Sequence, residues 1–389
     1  MYSISSAITS RNGSTSGCDQ ACLTRPTGSF PALPITGTAD VSRMLREYNR
    51  TSRTSRVYWI DALRAIAIVF VVIGHTPGIQ GYNNIVKYIY SFHIPLFFLL
   101  SGIVFDAKVI EKELPAFLHK QARGLLIPYF AWGFLTYIPW FVIGRHYGSY
   151  PNLDPIKPLL GMLYGTGSGT WLIHNGALWF LPCLFVIRVI FFATIKVVPR
   201  SSLLMALAFF TILGFVSVRL VPFPLPWGLD IALIAIGFFG VGFLLKDRLL
   251  SFQIPSATSL VGVLSILALI HITLVFSNAR ISFAERAFGD VLLFLGEASI
   301  GIAFWFLIAK VIPVSSIIFL IGESTMMIFI LHTFVFNQVT GFAVFILKLP
   351  PTFKYESLPS TIIYTAVALV STIALMPIVR RFQPWMVGR

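Results

Sequence analysis

The segments YWIDALRAIAIVFVVIGHT, residues 58–76, and YSFHIPLFFLLSGIVF, residues 90–105, decide how this chain folds. Each belongs to an apolar stretch long enough to cross a bilayer as a helix, which takes roughly twenty residues. Each also carries groups that lipid does not tolerate: Asp61, Arg64 and His75 in the first, His93 with Ser101 and Gly102 in the second. A charged residue near a helix centre costs roughly 2.5–3.5 kcal/mol on insertion scales, so such groups face a protein interior or a wet cavity.

Spacing sharpens the first segment. Arg64 and His75 are separated by about three helical turns, so they share one face at a spacing of about 16 Å. Asp61 precedes Arg64 by one turn and is positioned to pair with it. Two readings fit the pattern. In one, an ion pair and an imidazole mark the two ends of a functional face; in the other, Asp61 and Arg64 anchor the helix at the headgroups and His75 caps it.

Outward from this stretch, composition sets the class. The chain has 389 residues, of which 56% are hydrophobic and only 11% charged; its mean hydropathy is +0.83. Ordinary soluble domains carry about 25% charged residues. Apolar segments recur at 57–76, 88–106, 124–144, 177–196, 201–220, 229–245, 256–276, 290–309, 315–336 and 360–379. The expectation is an all-α polytopic membrane protein, a bundle of about ten spans. Residues 1–52, rich in Ser, Thr, Gly and Pro, read as a disordered tail ahead of a membrane-embedded domain over 53–389.

The formal net charge of +14 excludes nothing alone, but the basic residues are scattered between apolar segments, which speaks against a nucleic-acid partner. They follow topology instead. The run Arg43, Arg46, Arg50, Arg53 and Arg56 precedes the first span and holds the N-terminus in the cytoplasm. With ten spans the C-terminus returns there. About twenty Lys and Arg then fall inside and about eight outside, as the positive-inside rule requires.

On this topology His75, His93, His174 and His332 lie toward the outer side, with His146 and His271, and only His119 inside. Imidazoles at one level suit proton transfer near neutral pH. The short connector after His75 lets it approach His93, read as the residue that opens span two. The long outer connection 145–176 reads as a lid or acceptor surface, or as a plain connector. No HExxH-like or clustered Cys/His spacing predicts a metal, and no GxSxG elbow predicts a serine hydrolase.

Five motifs add a resemblance: WIDALRAIAIVFVVIGH, SFHIPLFFLLSGIVF, HKQARGLLIPYFAWG, ALWFLPCLF and IGESTMMIFILH. Over about residues 56–380 the chain resembles the acyltransferase 3 family of integral membrane O-acyltransferases, and most closely its bacterial sugar O-acetylase and fucose O-acetylase-like members. The Arg-x10-His pattern, met by Arg64 and His75, and FHxPLFFxLSG, met by Phe92 through Gly102, are its most specific elements.

The resemblance implies transfer of an acyl group, commonly acetyl from cytoplasmic acetyl-CoA, to a hydroxyl of a glycan or lipid-linked sugar at the cell (inner) membrane. It implies no tightly bound cofactor, with acetyl-CoA or another acyl-CoA as co-substrate. His75 matches the essential histidine and Arg64 its donor-handling partner, with Arg123 a less secure match. The expected site is then His75 and His93 as catalytic groups, Asp61, Arg64 and Arg123 on the donor, and Trp179 and His332 in the acceptor pocket. Trp179 reads equally as a member of an interfacial aromatic belt. A multi-pass transporter or flippase is the rival, kept alive by Glu297 and Glu323.

Overall fold

A computed structural model describes residues 57–147, 150–355 and 357–388. The expected tail over 1–52 and the basic run that ends at Arg56 lie outside the described residues. The described chain is helical, with no strand beyond an isolated bridge between Ser282 and Ala287. Ten helices are long and apolar enough to span a membrane. They are α1 (Tyr58–His75), α2 (Asn83–Ile103), α3 (Leu114–Tyr147), α4 (Gly176–Val197), α5 (Leu203–Leu220), α6 (Pro226–Ser251), α7 (Ala257–Ser277), α8 (Val291–Val311), α9 (Ser316–Phe345) and α10 (Leu358–Phe382).

Helix ends follow local chemistry. Asp61 lies in the first turn of α1, where a carboxylate complements the helix dipole, and Pro77 follows its end. Asp290 caps α8 by accepting from Leu293 N at 2.9 Å, and Ser357 caps α10 by accepting from Ser360 N at 3.3 Å. Several expected spans prove longer than the hydropathy pattern gives, the third, sixth and ninth most of all. The third was expected from residue 124, yet α3 begins at Leu114 because an amphipathic turn carrying His119 and Lys120 leads into it. The ninth was expected to stop at 336, but α9 runs on to Phe345. Its polar residues there are accommodated by α10: Thr340 Oγ1 lies 2.8 Å from the Tyr364 hydroxyl.

Helices in a bilayer gain little from apolar burial against one another, so close approach at small residues and polar links decides who packs where. Gly322 of α9 lies where a side chain would run into the Asp61 backbone, which seats α1 directly on α9. Gly102 and Gly242 do the same for α2 and α6, against Phe239 and Leu99 backbone respectively. α2 is the most enclosed span, 72% buried, while α5 and α7 are 17% buried and form the lipid-facing periphery. α1 therefore lies between α9, α2 and α8, and the polar face expected of it looks into the bundle.

α3 is interrupted twice by π-helical turns, Ala122–Leu126 and Trp140–Gly144. Such turns shift the phase of side chains along a helix and recur at functional positions. The C-terminal turn Pro384–Val387 docks beside α3, where Trp132 Nε1 donates to Met386 O at 2.8 Å.

Candidate active site

Three histidines from three helices meet at the His75 end of α1. The His75 and His332 rings are 5.2 Å apart. Tyr90 stands beside His75 at 5.8 Å and beside His93 at 5.0 Å. The short connector thus brings His75 and His93 into one neighbourhood with the Tyr90 ring between them. His93 sits in the middle of α2, because that helix starts at Asn83 rather than near the histidine. This corrects the expectation that it opens the span.

Each of the three rings is held by the same device. His75 Nδ1 lies 2.8 Å from Val71 O, His93 Nδ1 2.6 Å from Ile89 O, and His332 Nδ1 2.8 Å from Phe329 O and 3.1 Å from Ile328 O. A carbonyl oxygen only accepts, so in each ring Nδ1 carries the proton and Nε2 keeps the lone pair. The Nε2 atoms of His93 and His332 are buried with no hydrogen-bond partner. His93 and His332 are themselves fully enclosed, whereas His75 is half-buried. Of the three bases, His75 is the one that solutes can reach.

What it reaches is a narrow cavity of about 40 Å³, lined by His75, Tyr90, His93 and Trp179 together with a loop wall. Trp179 lies at the start of α4, buried against this space. The wall is Ile281–Ala284, from the connection between α7 and α8. Sequence reading assigned lid character to 145–176 and passed over this loop. Its only signal was a dense run of charge and polarity, SNARISFAER, between two spans.

The loop is built, not loose. Asn278 Oδ1 accepts from Ala279 N at 2.8 Å and Asp290 N at 2.9 Å, and its Nδ2 donates to Glu297 Oε1 at 3.1 Å. Arg286 pairs with the fully buried Asp230 at 2.7 Å and donates to Val221 O at 2.7 Å. Arg280 lies over the Tyr90 ring at 4.7 Å.

The 145–176 connection carries the helix Ile156–Tyr164 and ends in a clamp on α9. Asn175 Nδ2 donates to Ile330 O at 2.8 Å and its Oδ1 accepts from Thr333 at 2.9 Å, on either side of His332. Beside it, burial pushes the His174 imidazole down to about 4, so that ring is neutral at physiological pH.

The imidazoles do not gather into a single group. His271 pairs with Ser91 at 2.9 Å and packs on Tyr88, His174 packs on Tyr137, and His146 and His119 are exposed. No His/Cys/Asp/Glu cluster among the described residues is arranged to hold a metal ion.

At the other end of α1, Arg64 Nη1 donates to Asp61 Oδ1 at 3.2 Å, with Asp61 buried and Arg64 partly accessible. The continuous helix keeps the expected spacing to His75. Arg123 is exposed on the first π turn of α3, whereas Arg188 lies midway along α4 with its Nη1 donating to Gln121 Oε1 at 2.8 Å. α4 thus brings Trp179 to the His75 end and carries Arg188 nine residues further along. The acids that favoured a transport path are tied down elsewhere: Glu297 accepts from Asn278, and Glu323 pairs with Arg380 at 3.1 Å. Neither lines the cavity.

No curated protein and no solved structure matches the chain. A family model described as an acyltransferase domain matches residues 57–381, nearly all that the structure describes. With its ten spanning helices, the chain belongs to the acyltransferase 3 family and is a multi-pass membrane acyltransferase.

Proposed function

We propose that this acyltransferase moves an acyl group, acetyl in the first instance, from cytoplasmic acyl-CoA to a hydroxyl of a cell-surface or exported glycan or lipid-linked sugar, in the cell (inner) membrane. The observation that carries the reading is the His75 ring: Nδ1 is committed to the Val71 carbonyl, which leaves the Nε2 lone pair on a half-buried residue that borders a cavity. A sugar hydroxyl is a poor nucleophile, and a positioned base contributes typically about a hundred- to ten-thousandfold.

The chemistry balances on that one nitrogen. His75 Nε2 takes the hydroxyl proton as the oxygen attacks the thioester carbonyl. The C–S bond then breaks, and the departing CoA thiolate recovers the proton from the imidazolium. His93 and His332 border the base and keep it oriented, and the Trp179 ring supplies an apolar wall for the acceptor. Asp61 orients Arg64 toward the donor, since guanidinium forks match phosphate. The distance of about 16 Å from Arg64 to His75 is comparable with an extended pantetheine arm. Arg123, exposed on its π turn, is left for the nucleotide outside the bundle.

The reading requires no tightly bound cofactor, only acyl-CoA as co-substrate. A route through an acyl-histidine, with ping-pong kinetics, differs by one measurement: labelled acyl trapped on the protein without acceptor. The function itself is tested by mass spectrometry of surface glycans from cells with the protein, without it, and with His75→Ala. An acetyl increment present only with the intact protein is expected. Its persistence in the His75→Ala cells removes the base from this scheme, and solute flux in vesicles without release of CoA thiol favours a carrier.

A further inference from the structure

Two hydrogen-bond acceptors on the wall of the cavity beside His75 are left unanswered by the protein. His93 lines that cavity and is only 1% exposed, and its Nε2 has no hydrogen-bond partner among the described residues. Because Nδ1 is turned to Ile89 O on its own helix, the edge of the ring that looks away from α2 is the one that carries Nε2. His75 is arranged alike, with Nδ1 spent on Val71 O and Nε2 left over. Both Nε2 atoms hold a lone pair and no proton, so each can only accept.

The neighbouring polar groups do not answer them. The Tyr90 phenol, which stands beside both rings, donates to Gly74 O at 3.3 Å, and its ring is held under the Arg280 guanidinium at 4.7 Å. Ser282 Oγ, on the loop wall, accepts from Glu285 N at 3.3 Å. Much of the remaining lining is apolar, Ile94, Ala177, Phe283 and Phe329 included. His332 Nε2 is also unpartnered, but His332 does not border the cavity and a ligand there does not meet it. A buried acceptor without a donor is costly, so one kept at a cavity wall suits a ligand that brings the donor. A water-sized group takes about 10–15 Å³ of such space, and the cavity of about 40 Å³ admits two or three of them.

We infer that the acceptor enters this cavity as a vicinal diol: one hydroxyl gives its proton to His75 Nε2 and is acylated, and its neighbour donates a hydrogen bond to His93 Nε2. His93 is then a binding residue that selects a hydroxyl with another beside it. The fate of the first hydroxyl rests on the proposed acyl transfer; the recognition of the pair rests on the two rings and the space they share. A site built to bond a hydroxyl discriminates against the analogue that lacks it, because its own polar atom is then left unpaired.

The test uses the full-length protein in nanodiscs and three small probes: cis-1,2-cyclohexanediol, its mono-O-methyl ether and cyclohexanol. Binding is read as protection of His75 from carbethoxylation by diethylpyrocarbonate, followed by mass spectrometry of the peptide that carries it, a measurement that needs no acyl transfer. The diol is expected to protect at about three- to tenfold lower concentration than either other probe, the usual worth of one hydrogen bond. The ether keeps the bulk of the diol but has no second proton to donate. His93→Phe should bring the diol to the level of cyclohexanol, and His93→Gln, whose amide oxygen still accepts, should keep part of the preference. The comparison of probes on the unmodified protein decides the matter even where a variant does not fold.

Equal protection by all three probes, no protection by any, or a preference that persists in His93→Phe overturns the inference. The same probes offered with acetyl-CoA, read as release of CoA thiol, separate the two levels. Selective protection without thiol release upholds the diol site and counts against the acyl-transfer reading. Release that is equal for the diol and for cyclohexanol upholds the transfer and removes the diol.

Discussion

The two ends of α1 use opposite solutions to the same problem, a polar group inside a membrane. At the His75 end the groups are neutral and satisfied locally: each imidazole turns back on a carbonyl of its own helix and leaves one lone pair over. At the Arg64 end the groups are charged and answered by an ion pair: Arg64 pairs with Asp61 one turn away on its own helix, and the Asp61 backbone seats on α9 at Gly322. A neutral imidazole keeps a lone pair that can take up a proton, while fixed cations are suited to hold an anion and not to exchange protons, since arginine stays charged at any accessible pH. In the proposed reaction, one helix therefore separates the group that reacts from the groups that grip.

That division can be broken experimentally, and the largest effect falls at the reactive end. His75→Ala should lower acyl transfer by about two to four orders of magnitude while leaving the affinity for CoA within about twofold, measured as acceptor-dependent release of CoA thiol by purified protein. Transfer retained at more than a tenth of normal would place the base elsewhere. Second comes the reference for a purely structural pair. Asp230→Asn leaves Arg286 enclosed without its carboxylate, a change that costs about 3–5 kcal/mol in folded proteins. The expected outcome is a large fall in thermal stability with an unchanged Michaelis constant for the donor.

Arg64→Ala should act on the grip alone: the donor Michaelis constant rises about tenfold or more, and the acceptor constant moves little. If both constants shift together, the two ends are not separate sites. The smallest effect belongs to the clamp that connects the outer connection to α9. Asn175→Ala removes two hydrogen bonds next to His332 and should cost about 1 kcal/mol of stability per bond, with a modest loss of transfer that saturating acceptor does not restore.

Much of the fold was legible in the sequence because a bilayer demands uninterrupted apolar helices, and hydropathy reads that demand directly. All ten expected spans are present, in order. The errors fell where tertiary partners let polar residues into a helix, as at the extended end of α9 beside Tyr364, or where a π turn joined an amphipathic segment to a span in α3. The site was partly legible for the same energetic reason. Polar residues in spans are conspicuous, so His75, His93, His332 and Arg64 stood out, and the structure gathers the three histidines. Arg188 carries the same signal, an arginine in the apolar run FLPCLFVIRVIFF, and the sequence reading does not single it out.

By itself, then, the sequence determined the class of protein, the number and order of its helices, the spacing of Arg64 and His75 and the family they point to, because these depend on local periodicity and on the cost of polar atoms in lipid. Only the tertiary structure decided that Tyr90 stands between His75 and His93, that Gln121 meets Arg188, and that Ile281–Ala284 walls the cavity. Those are contacts between helices distant in the chain, fixed by where small residues such as Gly322 and Gly102 let backbones touch, and no local pattern encodes which helix will be the neighbour.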